Sequence, residues 1–208
     1  MNTAIHFPKG QSLSTVMTPG DYKKLKDLFQ KEFKVKGKAF EKNYAHIKPL
    51  ALSIIMTRLS LGEKVRYFDI EMLAIAKENN LHVYSLEAVE REAEALNTFP
   101  MEDQVAALQH TMNNFETQKQ ESRKMMTDYK AGNLEEIFEF TMHPIESNPN
   151  FINEFYAKRN LEWLPKIERM VKEHNSFLCL GIAHLEGDHG IIKLLEAKGY
   201  KLTPVPVN

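Results

Sequence analysis

Two residues distant in the sequence, Glu87 and His184, have side chains that could share one catalytic or metal site. His184 ends the motif Gly181-x-x-His184, directly after the apolar run 177–182. A neutral imidazole is a good ligand for zinc- or manganese-type ions, and it needs a hydrogen-bond acceptor to fix its tautomer. A carboxylate such as that of Glu87 can bind a metal or act as a general base. The structural alternatives are a hydrogen-bonded histidine at a strand end and a first-turn glutamate favoured by the helix dipole.

A second polar cluster follows in the turn Gly187-Asp188-His189-Gly190. Asp188 and His189 could add ligands to a metal site, because they lie only a few residues after His184. Alternatively, Asp188 caps the helix that runs through Lys198, and His189 lies in the exposed first turn of that helix. The sequence leaves both interpretations open.

Three apolar segments that could position these side chains are predicted to be strands, near residues 81–86, 176–183 and 200–205. Segment 176–183 is apolar at almost every position, which is typical of a strand covered on both faces. Open α/β sheets usually carry their chemistry at the carboxyl ends of the strands, so Glu87 and His184 are expected at one sheet edge. The predicted fold class is therefore α/β (α+β), predominantly helical with a small sheet.

Helical periodicity covers most of the remaining chain. Thr18 and Pro19 form a cap and first-turn signal for one helix, and Pro49 begins another. Further helices are predicted over 69–78, from about 88, over 101–129, over 133–140 and over about 149–173. We expect one domain spanning residues 1–208, with residues 101–145 as a possible helical lobe.

The C-terminal motifs form an ordered series. Gly181-x-x-His184 is followed by Leu185-x-Gly187-x-x-Gly190, then by a helix ending at Gly199-Tyr200 and a final Pro204-Val205. This series resembles the C-terminal signature of the TraB/GumN family, which is related to the Tiki proteins. Two further segments are similar to family motifs, namely Arg159-Asn160-x-x-Trp163 and Ser85-Leu86-Glu87, in which Ser85 replaces the usual glycine. The resemblance runs from about residue 10 to 205 and is strongest over 151–206.

The resemblance implies a bacterial metal-dependent hydrolase of the peptidase type. In the family, two Gly-x-x-His histidines and an acidic residue are thought to form the hydrolytic centre. His184 is therefore implied as a ligand of a divalent metal such as manganese, cobalt or zinc. The implied catalytic set is Glu87, Arg159 and His184, with Arg159 near the oxyanion of a peptide or small-molecule substrate. Trp163 is expected in the core rather than as a platform for the substrate.

Half of the family's site is expected to be missing. Family members typically begin with a Gly-Thr-x-His strand and a second strand ending in glutamate, and both precede the region that corresponds to Met1. Neither motif occurs here, since Thr3-Ala4-Ile5-His6 lacks the glycine. We therefore expect either an N-terminally incomplete chain or a degenerate member, inactive as a hydrolase in this form. The alternative function is a non-catalytic domain that keeps the family cleft and binds a peptide or signal.

The composition indicates a globular protein without a nucleic-acid partner. A formal net charge of -1 over 208 residues gives no electrostatic basis for binding nucleic acid. The sequence shows no signal peptide and no apolar run of membrane-spanning length. The resemblance nevertheless suggests a secreted or envelope protein if the N-terminus is missing. The exposed edge of a small sheet is the expected route to a homo-oligomer.

Overall fold

The computed structural model describes residues 5–62, 66–141 and 149–205. In chain order, the helices are α1 (Leu13–Val16), α2 (Pro19–Phe33), α3 (Gly37–Asn43), α4 (Pro49–Ser60), α5 (Phe68–Glu78), α6 (Val89–Asn97), α7 (Met101–Asn113), α8 (Phe115–Ala131), α9 (Leu134–Thr141), α10 (Pro149–Phe151), α11 (Lys158–Glu173) and α12 (Ile191–Ala197). A π-helical segment, Ile152–Ala157, joins α10 to α11, and a 3-10 turn, Ile182–His184, lies between α11 and α12. Within the described ranges, no helix is both long and apolar enough to cross a membrane.

The chain divides into two compact units. The first consists of Met1–Val65 and Val89–Arg123, and the second of Arg66–Ala88 and Lys124–Asn208. The predicted lobe 101–145 therefore contributes residues to both units, and its last residues lie outside the described ranges. Each unit has its own cluster of buried apolar side chains.

The core of the first unit combines aromatic and aliphatic side chains. Phe29 of α2 contacts Phe40 of α3 edge to face, with ring centroids 4.9 Å apart. Helix α4 is buried along much of its length and packs against α7. Leu108 and Met112 of α7 are buried in the same cluster, as the helical spacing predicts.

The structure agrees with one predicted helix boundary, at Thr18, and divides another predicted helix, over 101–129. At the start of α2, the Thr18 hydroxyl accepts a hydrogen bond from the Asp21 backbone N–H at 3.1 Å, and Pro19 is the first helical residue. The predicted helix over 101–129 is instead two helices, α7 and α8, separated at Asn114. The Asn114 side-chain amide donates to the His110 carbonyl at 2.9 Å. Asparagine favours helix ends because its side chain competes for backbone hydrogen bonds.

The predicted α/β fold class is wrong, because the described residues are predominantly helical and form no strand or sheet. Segments 81–86, 176–183 and 200–205 contain no strand, and the last residues of the second segment form the 3-10 turn. The only bridge in the described part of the chain is an isolated one between His6 and Ile47. An apolar run indicates only that a segment is suited to a buried sheet. A strand also needs a neighbouring strand whose backbone groups form hydrogen bonds with its own. These segments form no such backbone pairing in the described residues, so the expected sheet edge is also absent there.

The second unit is organised by α11. Its cluster of buried residues consists of Trp163, Leu164 and Ile167 from α11 and Ile191 and Leu195 from α12. Leu86, Leu178 and Leu180, from segments 81–86 and 176–183, pack against this cluster. Helix α11 thus brings the segments that carry Glu87 and His184 to its own surface.

Candidate functional site

Glu87, Arg159 and His184 lie together in the second unit, with Arg159 between the other two. The Nε of Arg159 donates to both carboxylate oxygens of Glu87 at 3.1 Å, and its Nη2 forms an additional short hydrogen bond with Oε1. Arg159 Nη1 lies 3.5 Å from Nε2 of His184. The structure therefore joins the three residues through the guanidinium, although no sheet edge positions them.

The ion pair between Arg159 and Glu87 is largely withdrawn from solvent. The side chain of Arg159 is 5% exposed and that of Glu87 is 15% exposed. The indole N–H of Trp163 donates to Glu87 Oε2 at 3.1 Å, and Arg159 Nη1 donates to the Phe155 carbonyl at 3.0 Å. Burying two charges is costly unless further hydrogen bonds compensate, and these contacts provide that compensation. The guanidinium also lies over the rings of Phe155 and Trp163, at 4.6 and 5.1 Å from their centroids.

Asn160 fixes the orientation of His184. The Asn160 Nδ2 donates to the backbone carbonyls of His184 at 3.2 Å and His189 at 2.7 Å. Its Oδ1 is therefore the acceptor for His184 Nδ1, 2.7 Å away, so Nδ1 carries the proton. The lone pair on Nε2 consequently faces Arg159. Trp163 stacks at a tilt on the imidazole with centroids 4.4 Å apart, and Tyr156 contacts it edge-on at 5.1 Å.

The electrostatics keep His184 neutral. Burial, and to a smaller extent the positive charge of Arg159, lower its pKa from the usual 6.5 to about 3. At neutral pH the ring is therefore an uncharged imidazole that can accept a hydrogen bond at Nε2. A base with so low a pKa removes protons poorly near pH 7.

Helix α11 explains why the side chains meet. Arg159 and Trp163 are four residues apart and so lie on the same face of the helix, where both contact Glu87. Asn160 is the next residue round the helix and points to the turn at 184–189 instead. Because of the Arg159-Asn160-x-x-Trp163 spacing, one turn of α11 contacts two separate parts of the chain. These are the segment that carries Glu87 and the turn at 184–189.

The turn that follows His184 differs from the predicted cap. Gly190, not Asp188, is the N-cap of α12, and Asp188 pairs with Lys193 at 2.8 Å. Two glycines shape this turn. Gly187 has φ +84°, and a Cβ at Gly190 would lie 2.3 Å from the Leu185 carbonyl oxygen. The cap prediction for Asp188 is therefore wrong, because a tight backbone approach at Gly190 begins the helix.

The side chains in the described ranges do not fit a catalytic metal. Both Glu87 and the free nitrogen of His184 face the cationic Arg159 guanidinium, and Glu87 is further bound by Trp163. In the parts of the chain that the structure describes, no group of three or more histidine, cysteine, aspartate or glutamate residues could hold an ion. Catalytic zinc sites normally use three protein ligands. The role of His184 as a metal ligand stays a prediction. The ion pair between Arg159 and Glu87 does not support that role.

A cavity of about 470 Å³ adjoins this network in the second unit. Apolar side chains, including Phe138, Ile152 and Tyr156, form part of its wall. The polar part of the wall comes from Asn153, Asn160, Glu186, Asp188 and His189. Asn160 belongs to both the cavity wall and the buried network, so it connects the two.

Comparison with known proteins identifies the family. The sequence profile of the TraB/PrgY/gumN family matches residues 1–204. The chain therefore belongs to this family, and the resemblance in the C-terminal motifs is confirmed. No curated protein and no solved structure matches the chain.

Several residues that the structure places in the site have no role that the sequence alone indicates. Asn160 belongs to a motif, yet its contacts with two carbonyls and the imidazole depend on how the 184–189 turn folds. Phe138 and Tyr156 lie in helical segments where aromatic residues usually indicate core packing, so their spacing carried no signal. Trp163 is buried as expected, and it also binds Glu87.

Proposed function

We propose that this protein is a non-catalytic binding domain whose cavity holds a peptide segment or a small molecule. The main observation in support of this proposal is the cavity beside Asn160. Its volume of about 470 Å³ lies within the range of ligand pockets, and its wall combines apolar side chains with a few polar groups. Such a wall buries an apolar part of a ligand and orients it by hydrogen bonds.

The buried network supports a structural role for the predicted catalytic set. Arg159 holds Glu87, and Asn160 holds the carbonyls of His184 and His189. His189 and Asn160 both line the cavity. The network therefore supports the cavity wall, and its polar groups are already occupied by one another rather than free for a substrate.

Blocking the cavity tests the proposal. Asn153 lines the cavity and is exposed, so Asn153→Trp should fill its mouth without disturbing the core. Leu161→Trp is the matched control, because Leu161 is exposed in the same unit and does not line the cavity. Binding of a panel of short acetylated peptides of varied central residue would be measured by calorimetry. We expect a peptide that binds the wild type and Leu161→Trp but not Asn153→Trp.

The same measurement with His184→Gln separates binding from catalysis. Binding that persists in this variant, with no cleavage of the peptide by either protein, agrees with a non-catalytic domain. Peptides that bind Asn153→Trp as tightly as the wild type would show that the cavity is not the binding site.

A metal-dependent peptidase is the second candidate, and the orientation of His184 favours it. An imidazole whose Nδ1–H is fixed by an acceptor, so that Nε2 is unprotonated, is typical of metal-binding histidines. This function requires Arg159 to release Glu87 and the imidazole, and it needs further ligands. Calorimetric titration with Mn²⁺, Co²⁺ and Zn²⁺ tests it, with His184→Gln as the control. Binding abolished by that substitution, together with peptide cleavage, would establish the peptidase.

A further inference from the structure

Glu186 is a half-buried carboxylate in the wall of the cavity. Among the residues that the structure describes, its side chain has no hydrogen-bond or ion-pair partner. Other half-buried carboxylates of the same unit are paired. Glu154 lies 2.5 Å from the Lys158 ammonium. Glu168 lies 3.7 Å from that of Lys172. Withdrawing a carboxylate from water is costly without a compensating cation, so Glu186 is suited to a cation that a ligand brings.

The cation near Glu186 is already occupied. Lys193 lies outside the cavity wall, and its Nζ is 2.8 Å from Asp188. The hydrogen bond with Asp188, and to a smaller extent the negative charge of Glu186, raise the pKa of Lys193. No lysine or arginine is among the described residues that line the cavity. Asp188 is 89% exposed and is paired with Lys193, so Glu186 is the carboxylate of the wall whose charge stays available to a ligand.

An aromatic ring lies beside this carboxylate. Gly187, the next residue, has φ +84°, and a Cβ on it would lie 2.8 Å from Cζ of Phe138. Because Gly187 has no side chain, the Phe138 ring can pack against the turn that carries Glu186. Phe138, Ile152 and Tyr156 all line the cavity. The wall therefore combines an apolar surface with one unpaired negative charge, which suits an alkyl chain that ends in a cation.

We propose that the cavity binds an alkylammonium group, and that the Glu186 carboxylate pairs with its positive charge. This inference rests on the proposed binding function and names the ligand class of that site. The ammonium donates hydrogen bonds to Glu186, and the apolar stem packs against Phe138 and Ile152. The same chemistry occurs in the lysine side chain of a peptide and in a free alkylamine.

Two matched peptides test the role of the positive charge. The first is an acetylated and amidated pentapeptide with a central lysine between alanines. In the second peptide, norleucine replaces the lysine, so the butyl stem is kept and the ammonium is absent. Binding to the full-length protein would be measured by calorimetry. We expect the lysine peptide to bind at least about tenfold more tightly, because hydrogen bonds between charged groups are stronger than neutral ones.

Glu186→Gln removes the negative charge and keeps the shape of the side chain. It should weaken binding of the lysine peptide about tenfold and change that of the norleucine peptide by less than about twofold. Glu196→Gln is the matched control, because Glu196 is an exposed carboxylate near Lys193 that does not line the cavity. It should change both affinities by less than about twofold. Urea denaturation checks the folding of both variants, and Glu186→Gln should be at least as stable as the wild type.

A third ligand, n-butylamine, distinguishes the two sources of the ammonium. If it binds about as tightly as the lysine peptide, the ligand is a small amine. If it binds markedly more weakly, the main chain of a peptide contributes to the affinity. Both results support an alkylammonium ligand, provided that Glu186→Gln weakens the binding of each.

The inference and the proposed binding function fail in different ways. Equal affinities of the two peptides, both abolished by Asn153→Trp, would leave a binding cavity and overturn the alkylammonium ligand. A preference for lysine that survives Glu186→Gln would also overturn it. So would the absence of binding by the lysine peptide and n-butylamine while another peptide still binds in the cavity. A lysine peptide that binds Asn153→Trp as tightly as the wild type would overturn both proposals.

Discussion

Arg159 links Glu87 and His184 in the candidate site, because its guanidinium contacts both side chains as well as the Phe155 carbonyl. A buried pair of this kind is strongly coupled, since each charge is tolerated only in the presence of the other. This coupling explains why the three residues with possible catalytic roles also support the local structure.

Replacing Arg159 should destabilise the protein strongly. Arg159→Met leaves the carboxylate of Glu87 buried without its cation, and we expect the free energy of unfolding to fall by about 3–5 kcal/mol. Adding Glu87→Gln should recover part of this loss, because the second substitution removes the unpaired charge. Arg169→Met, at an exposed position on the same helix, is the control and should change stability by less than about 0.5 kcal/mol. Urea denaturation measures all four proteins. Equal effects of Arg159→Met and Arg169→Met would refute the role of the pair.

The depressed pKa of His184 predicts a pH dependence of stability. Its pKa is about 3 when folded and about 6.5 when unfolded. Between these values the unfolded chain binds a proton that the folded chain does not, so the free energy of unfolding decreases as the pH falls below 6.5. The slope is on the order of 1 kcal/mol per pH unit.

His184→Gln removes this contribution because the amide does not titrate. The carboxyl groups of Asp21, Glu32 and Glu41 have lowered pKa values and also lose stabilising interactions in acid, but they do so in both proteins. The difference between the two pH profiles, measured by urea denaturation, therefore isolates His184. Between pH 7 and about pH 4 the folded His184 stays neutral while the unfolded one becomes charged. Parallel profiles over this range would contradict the depressed pKa.

At the scale of elements, the turn between His184 and α12 is set by backbone geometry rather than by side-chain caps. Asn160 binds this turn from α11, and Gly190 allows the chain to pass close to the Leu185 carbonyl. The turn carries part of the cavity wall, so its geometry affects the proposed binding site directly.

Glycine substitutions should have opposite effects at two positions. Gly190→Ala places a Cβ 2.3 Å from a backbone oxygen, so we expect a loss of about 2 kcal/mol and weaker binding in the cavity. Gly20→Ala lies within helix α2, where the nearest atom is 3.9 Å away, and it should stabilise the protein by up to about 1 kcal/mol. Thermal and urea unfolding would measure both changes. If Gly190→Ala left the stability unchanged, the turn would adapt to the added methyl group and would not position the cavity wall.

At the scale of the whole molecule, the two compact units have separate hydrophobic clusters. A helix such as α5 gains little from the unit that carries it, because it buries none of its side chains. The second unit is therefore stabilised mainly by its own cluster around α11.

The sequence by itself determined the family, most helices and the residues that meet in the second unit. Caps such as Thr18 and motif spacings such as Arg159-Asn160-x-x-Trp163 act over one or two helix turns, so they can be interpreted without the fold. Only the tertiary structure decided which segments pair and which groups bind one another. Segments 81–86 and 176–183 have strand-like composition but no neighbouring strand in the described residues, and a ladder requires two partners. Likewise, only the packing of α11 shows that Arg159 occupies the groups that a metal would need, because those contacts join residues far apart in the sequence.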